Sequence, residues 1–194
     1  LNDISVDILF FTLELNQIDD QILAKQLKSA AAGAYRPWLE SIRALRPHQL
    51  SEEMEKLLHD KRVAGGAAWN RLFDETMADM RFNYDGNTMT SEAVMNLLSN
   101  PSEDIRKAAA RTLGEELSKN SRIFSLITNT LAKDKEIEDR WRNYARPEAS
   151  RNIANQVEDE VVDALNVAVT GSYSQISHRY YKMKAKWFGK DYLD

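Results

Sequence analysis

Nine large apolar side chains run along the end of the chain in steps of three and four: Val157, Val161, Leu165, Val169, Tyr173, Ile176, Tyr180, Met183 and Trp187. That spacing puts all nine on one side of an α-helix and on no single face of a β-strand. At about 1.5 Å of rise per residue, roughly 30 residues make a helix on the order of 45 Å long. The charges agree with this direction. Glu158, Asp159, Glu160 and Asp163 lie near the start, and Arg179, Lys182, Lys184, Lys186 and Lys190 near the end, each complementing the helix dipole at its own pole. Gly171 is the weak point, costing about 1 kcal/mol relative to alanine and permitting a bend, and Gly189 closes the run.

The same period governs most of the rest. Ile4, Ile8, Phe11 and Leu15 form a stripe, followed by a segment capped at Asp19 that carries Ile22, Leu23 and Leu27 inward. Trp38, Ile42 and Leu45 share one side of a shorter helix ended by Pro47, and Ser51 caps the next, with Glu52, Glu53 and Glu55 at its positive pole. Trp69, Leu72, Phe73, Met77 and Met80 continue in helical register. Arg81-Phe82-Asn83-Tyr84 then alternates polar with aromatic, and Asp85-Gly86 supplies a tight turn. Thr90 and Asn100-Pro101-Ser102-Glu103 open two further helices. Seven glycines and four prolines in 194 residues are too few for a sandwich or barrel. The predicted class is therefore all-α: a multi-helix lobe with a long C-terminal helix and one small β arm or hairpin near residues 81-89. Residues 1-194 are expected to form this lobe, with a division into sub-bundles 1-80 and 90-194 open. A chain of this size typically buries roughly 70% of its extended surface.

Chemistry is sparse. There is no cysteine, which excludes disulfides and thiolate ligands and fits a reducing compartment. A His-Glu-x-x-His zinc site needs two imidazoles one helical turn apart, and none of His48, His59 and His178 is four residues from another. No Gly-x-Ser-x-Gly turn or phosphate loop occurs, and neighbouring carboxylates such as Glu115-Glu116 point apart on a helix. No catalytic, cofactor-binding or metal-ligating residue is assigned. The net charge of −4 argues against nucleic acid. The basic aromatic stretch His178–Trp187 is accordingly read as core positions Tyr180, Met183 and Trp187 flanked by lysines that offset the helix C-terminus. No apolar stretch approaches the roughly 20 residues of a membrane span.

Several stretches, in order, resemble the oligoendopeptidase F family, relatives of the thimet-type zinc oligopeptidases. They are Val6-Asp7-Ile8-Leu9-Phe10-Phe11-Thr12-Leu13-Glu14-Leu15-Asn16, then Arg46-Pro47-His48-Gln49-Leu50-Ser51 with Glu55, Leu57 and Leu58. Next come Ala68-Trp69-Asn70-Arg71-Leu72-Phe73-Asp74-Glu75, the capped Asn100–Ala109 stretch, and Tyr180-Tyr181-Lys182-Met183-Lys184-Ala185-Lys186-Trp187-Phe188-Gly189. The resemblance implies the non-catalytic N-terminal part of an intracellular, cytoplasmic zinc metalloendopeptidase, forming part of one wall of its peptide cleft. It also implies that zinc and the catalytic glutamate belong downstream, so the chain is expected to be inactive alone. Its partners would be the catalytic half of the same polypeptide and the parent's oligopeptide substrates, with no nucleic acid and no membrane. The wide apolar arc of the final helix adds an expectation of self-association. Leu1 at the start is read as the mark of a fragment. The competing reading is a free-standing helical interaction module.

Overall fold

The computed structural model describes the backbone from Asn2 to Leu193 and side chains from Ile8 to Leu193. It is helical almost throughout, with one two-stranded sheet among the described residues. Contacts divide it into two compact units, Leu1–Gln17 with Gln49–Asn143, and Ile18–His48 with Tyr144–Asp194. The stretch between residues 80 and 90, considered above as a boundary between sub-bundles, lies inside the first unit.

In the first unit, α1 (Asn2–Gln17) packs on α5 (Glu52–Lys61), and α6 (Gly66–Asp79) packs on α9 (Ser121–Trp141). Between α6 and α9 in sequence come β1 (Phe82–Tyr84), β2 (Asn87–Met89), α7 (Ser91–Leu97) and α8 (Glu103–Lys119). The strands pair antiparallel, Phe82 opposite Met89 and Tyr84 opposite Asn87. Asp85 and Gly86 both take positive φ, at 50° and 75°, the backbone that a two-residue turn between twisted strands demands. The hairpin thereby directs Phe82 into the core, where it meets Met80, Val94 and Ala109. Phe82 and Val94 are fully buried. Ala109, a single methyl, stands where α8 passes β1.

In the second unit, α2 (Asp20–Gln26), α3 (Ala30–Gly33) and α4 (Arg36–Ala44) precede a 3₁₀ turn at Arg46–His48. After the chain returns, α10 (Ala149–Ala154), α11 (Asp159–Ser172) and α12 (Ser177–Trp187) complete it. α10 contacts both α4 and α11. Arg43 donates to the Ile18 carbonyl and pairs with Asp20, and Arg146 grips Asp163 with two bonds of 2.9 and 2.8 Å. Gln156 reaches Ser41 Oγ at 2.6 Å, and Asn152 donates to Asp159 at 2.7 Å. These polar ties accompany the buried Leu23, Leu27, Leu39 and Ala185 of the same unit.

Several local expectations change. α1 buries Leu13 and Asn16, while Ile8 and Phe11 of the expected stripe are exposed and the Ile4 side chain lies outside the described residues. The helix is apolar on more than one side, and it packs on α5. The helix capped by Asp19 ends at Gln26, and Ser29 caps a second short one by accepting the Ala32 amide at 3.3 Å. Leu23 and Leu27 are buried as expected, but Ile22 is exposed. α4 turns Leu39 inward rather than Trp38. α8 begins at Glu103, two residues later than its Asn-Pro signal suggests, because Asn100 spends its side chain on the Ser102 amide at 2.9 Å and leaves Ser102 as the capping position. The C-terminal helical run is long, and a four-residue turn between Ser172 and Ser177 divides it, beginning just past Gly171. There the His178 amide donates to the Tyr173 carbonyl at 2.8 Å, a five-residue step that locally widens the turn.

Candidate functional site

Leu50 and Ser51 end the turn before α5, and the Ser51 hydroxyl accepts the Met54 amide. Glu55, one turn into the helix, folds back so that its carboxylate accepts the Leu50 amide at 2.9 Å. The same carboxylate receives a two-pronged guanidinium from Arg142, at 2.7 and 3.0 Å, and Arg142 Nε donates to Glu138 at 2.7 Å. Burial alone would push the Glu55 carboxyl up, but the hydrogen bonds from Arg142 and Leu50 and the Arg142 charge outweigh it and hold it below the ordinary glutamate value. Arg142 is raised in turn, first by its hydrogen bond to Glu55, with Glu138 adding to it against the burial penalty. The pair thus fastens the start of α5 to the end of α9. Residues 87 apart in sequence meet here, so local pattern reading places Glu55 only at a helix pole.

Beside this clamp lies a groove of 1070 Å³ within the first unit. Leu9, Met54, Leu57, Leu58, Ile137 and Trp141 give it apolar walls, and Gly65, Gly66 and Ala67 leave space at the start of α6. His59, Lys61, Arg62, Asp134 and Glu138 line it with charge. Leu57 and Trp141 are each 58% exposed. An open trough with apolar walls and mixed charge suits an extended or helical peptide segment better than a small molecule, which is usually enclosed on most sides.

The three histidines do not converge. His48 stacks on Tyr144 with ring centroids 4.0 Å apart, His59 lines the groove, and His178 lies near Tyr173 at 6.1 Å. Among the described residues, no three histidine, aspartate or glutamate side chains are grouped so as to hold a metal ion. Zinc does not fit the residues present here, and no catalytic step is derived from them.

The basic aromatic stretch is where the structure departs most from the reading above. Tyr180, Met183 and Trp187 are exposed, Trp187 at 67%, rather than in a core. Lys184 stands 6.0 Å from the Tyr180 ring centre, a distance at which a cation still feels the ring face. None of the large apolar side chains of the stripe from Val161 onward is buried. No described helix is long and apolar enough to cross a membrane.

Comparison with known proteins shows what this chain is similar to. The family model for Oligopeptidase F matches residues 14–82. A curated relative, group B oligopeptidase PepB of Streptococcus agalactiae serotype III (strain NEM316), is 25% identical over 187 residues, which is 93% of this chain and 31% of the relative. The crystal structure of oligoendopeptidase-F from Enterococcus faecium is similar in fold, with a TM-score of 0.79 and 22% identity, covering 95% of this chain and 38% of that one. The chain therefore spans about a third of the length of the relatives it matches. The order of short motifs, the helical fold with one hairpin among the described residues and these matches agree: the chain is similar to the N-terminal region of oligoendopeptidase F family proteins.

Proposed function

We propose that this chain is the non-catalytic helical part of a cytoplasmic zinc metalloendopeptidase acting on oligopeptides, and that its first unit contributes the groove beside Glu55 and Arg142 to the wall of the peptide cleft. The observation that carries this reading is surface. The chain exposes 14624 Å², whereas an extended chain of 22.2 kDa exposes about 32,000 Å². About 55% is thus buried instead of the expected roughly 70%. Even two separately compact halves of this mass would together expose only about 11,300 Å². Much of the excess is apolar: Ile8 and Phe11 on α1, Leu57 and Trp141 at the groove. Apolar surface on this scale marks an interface, and the remaining two thirds of a longer chain supply a partner large enough to cover it.

The test is complementation. The chain alone is expected to show no hydrolysis of an internally quenched oligopeptide and, after extensive dialysis, no stoichiometric zinc. Mixing it with the separately produced downstream part is expected to yield a complex that holds zinc and cleaves the peptide. A coding sequence without His-Glu-x-x-His after Asp194, or a downstream part that is fully active and does not bind this chain, would overturn the proposal.

A further inference from the structure

The C-terminal run carries a second pattern that the cleft reading does not use. Its exposed stripe, from Val161, Leu165 and Val169 to Ile176, Tyr180 and Trp187, is flanked by charges of opposite sign at its two ends. Glu158 and Glu160 border it at the start, three residues and one residue before Val161. Arg179 and Lys186 border it at the end, each one residue before a stripe position and three or four from Met183. All four side chains are exposed. Between Arg179 and Lys190 there is no acidic residue.

We propose that this face binds a second copy of the same face, antiparallel, about a twofold axis near the turn between Ser172 and Ser177. Parallel pairing would set acid against acid and base against base. Antiparallel pairing sets the Glu158–Glu160 end of each copy against the Arg179–Lys186 end of the other, twice per dimer, with apolar side chains closing between them. A twofold interface must be self-complementary, and a sequence acidic at one end and basic at the other meets that condition in one direction only. The turn at 173–176 falls near the middle of the charged ends, where the axis requires it. The area suffices as well. With about half or more of each surface open, these side chains supply on the order of the ~800 Å² per partner of a standard interface. The pairing goes beyond the cleft reading and does not depend on it, since it concerns the second unit and needs no downstream part.

Sedimentation equilibrium of the 194-residue chain is expected to show a monomer–dimer equilibrium that weakens as salt rises. At the four bordering positions, Glu158→Lys with Glu160→Lys sets base against base, and Arg179→Glu with Lys186→Glu sets acid against acid, while Asp159, Asp163, Lys182, Lys184 and Lys190 stay as they are. Each pair of substitutions is expected to weaken self-association at least tenfold, and an equimolar mixture of the two variants is expected to dimerise again. Recovery on mixing separates charge pairing from loss of fold, which mixing would not repair, and circular dichroism checks each variant alone. A strict monomer at high concentration would overturn the proposal and leave the face to the rest of a longer polypeptide. So would open-ended aggregation, or association that neither variant changes.

Discussion

α8 and α11 are close in kind and opposite in outcome. Both are amphipathic helices with acids in the first turn and one exposed glycine, Gly114 and Gly171. α8 buries Ala109 completely and lays Leu113 against the core of Phe82 and Val94. α11 buries nothing, and Leu165 remains 64% exposed. Helical period reports which side of a helix seeks a partner; it does not report whether the partner is present. α8 finds one because the hairpin at 82–89 returns Phe82 to it from outside the helix. No such element covers the stripe of α11 and α12 among the described residues, although Ala185 of α12 is fully buried.

The largest effect that can break this contrast is at Phe82. Phe82→Ala is expected to destabilise the first unit by about 3–5 kcal/mol, the cost of a fully buried aromatic ring and the cavity it leaves. Trp187→Ala, although it removes a larger ring, is expected to change the stability of the monomer by no more than about 0.5 kcal/mol while weakening self-association. Urea unfolding at low protein concentration, with hydrogen exchange to locate the loss, measures both. Equal costs at the two sites would show that the C-terminal stripe is packed within the monomer.

What the sequence makes legible follows the same division. Segments set by local chemistry can be read directly: the Asp85-Gly86 turn, the Ser51 and Thr90 caps, and the acids at the start of α5. Features set by distant pairing cannot. The Glu55–Arg142 clamp joins residues that no local window contains, and α1, which packs on α5, turns Leu13 inward instead of Phe11. Likewise, Tyr180, Met183 and Trp187 have the spacing of core residues, but spacing alone does not supply what would bury them. The groove belongs with these, since its walls come from α1, α5, α6 and α9.

A smaller effect compares two arginine clamps, one in each unit. Arg142 holds Glu55 where both side chains are mostly covered, 17% and 13% exposed, whereas Arg146 holds Asp163 in the open. Glu55→Gln is expected to cost about 1–3 kcal/mol, because it weakens a charge-assisted pair and leaves Arg142 short of a partner. The pH dependence has a definite sign. Both carboxyls lie below their ordinary values, 4.5 for Glu55 and 3.8 for Asp163. The stability each contributes is therefore full above its ordinary value and is lost as pH falls through the lower folded value. Acid titration of unfolding is expected to lose part of its slope below about pH 4.5 in Glu55→Gln. Asp163→Asn is expected to change it far less, since water and salt screen an exposed pair. An equal change in both variants would mean that covering the first clamp adds nothing.

The smallest expected effect sharpens the comparison most, because it separates helix formation from helix burial. Gly114 in α8 and Gly171 in α11 are both exposed, and a methyl group added at either meets nothing within 4 Å. Neither substitution makes or removes a tertiary contact, so each reports local helix propensity alone. Gly114→Ala, in the interior of α8, is expected to stabilise by close to about 1 kcal/mol. Gly171→Ala is expected to give less, a few tenths, because Gly171 stands one residue from the end of α11, where the helix frays. Thermal unfolding with both variants in parallel resolves the order. A larger gain at Gly171 than at Gly114 would show that the break at 173–176 is set by the glycine and heals without it, joining α11 and α12 into one uninterrupted helix. The expected order locates the break in the local backbone of Tyr173 to Ile176 instead, where the His178 amide steps back five residues to the Tyr173 carbonyl, with the stripe helical on both sides of it, whether or not anything covers it.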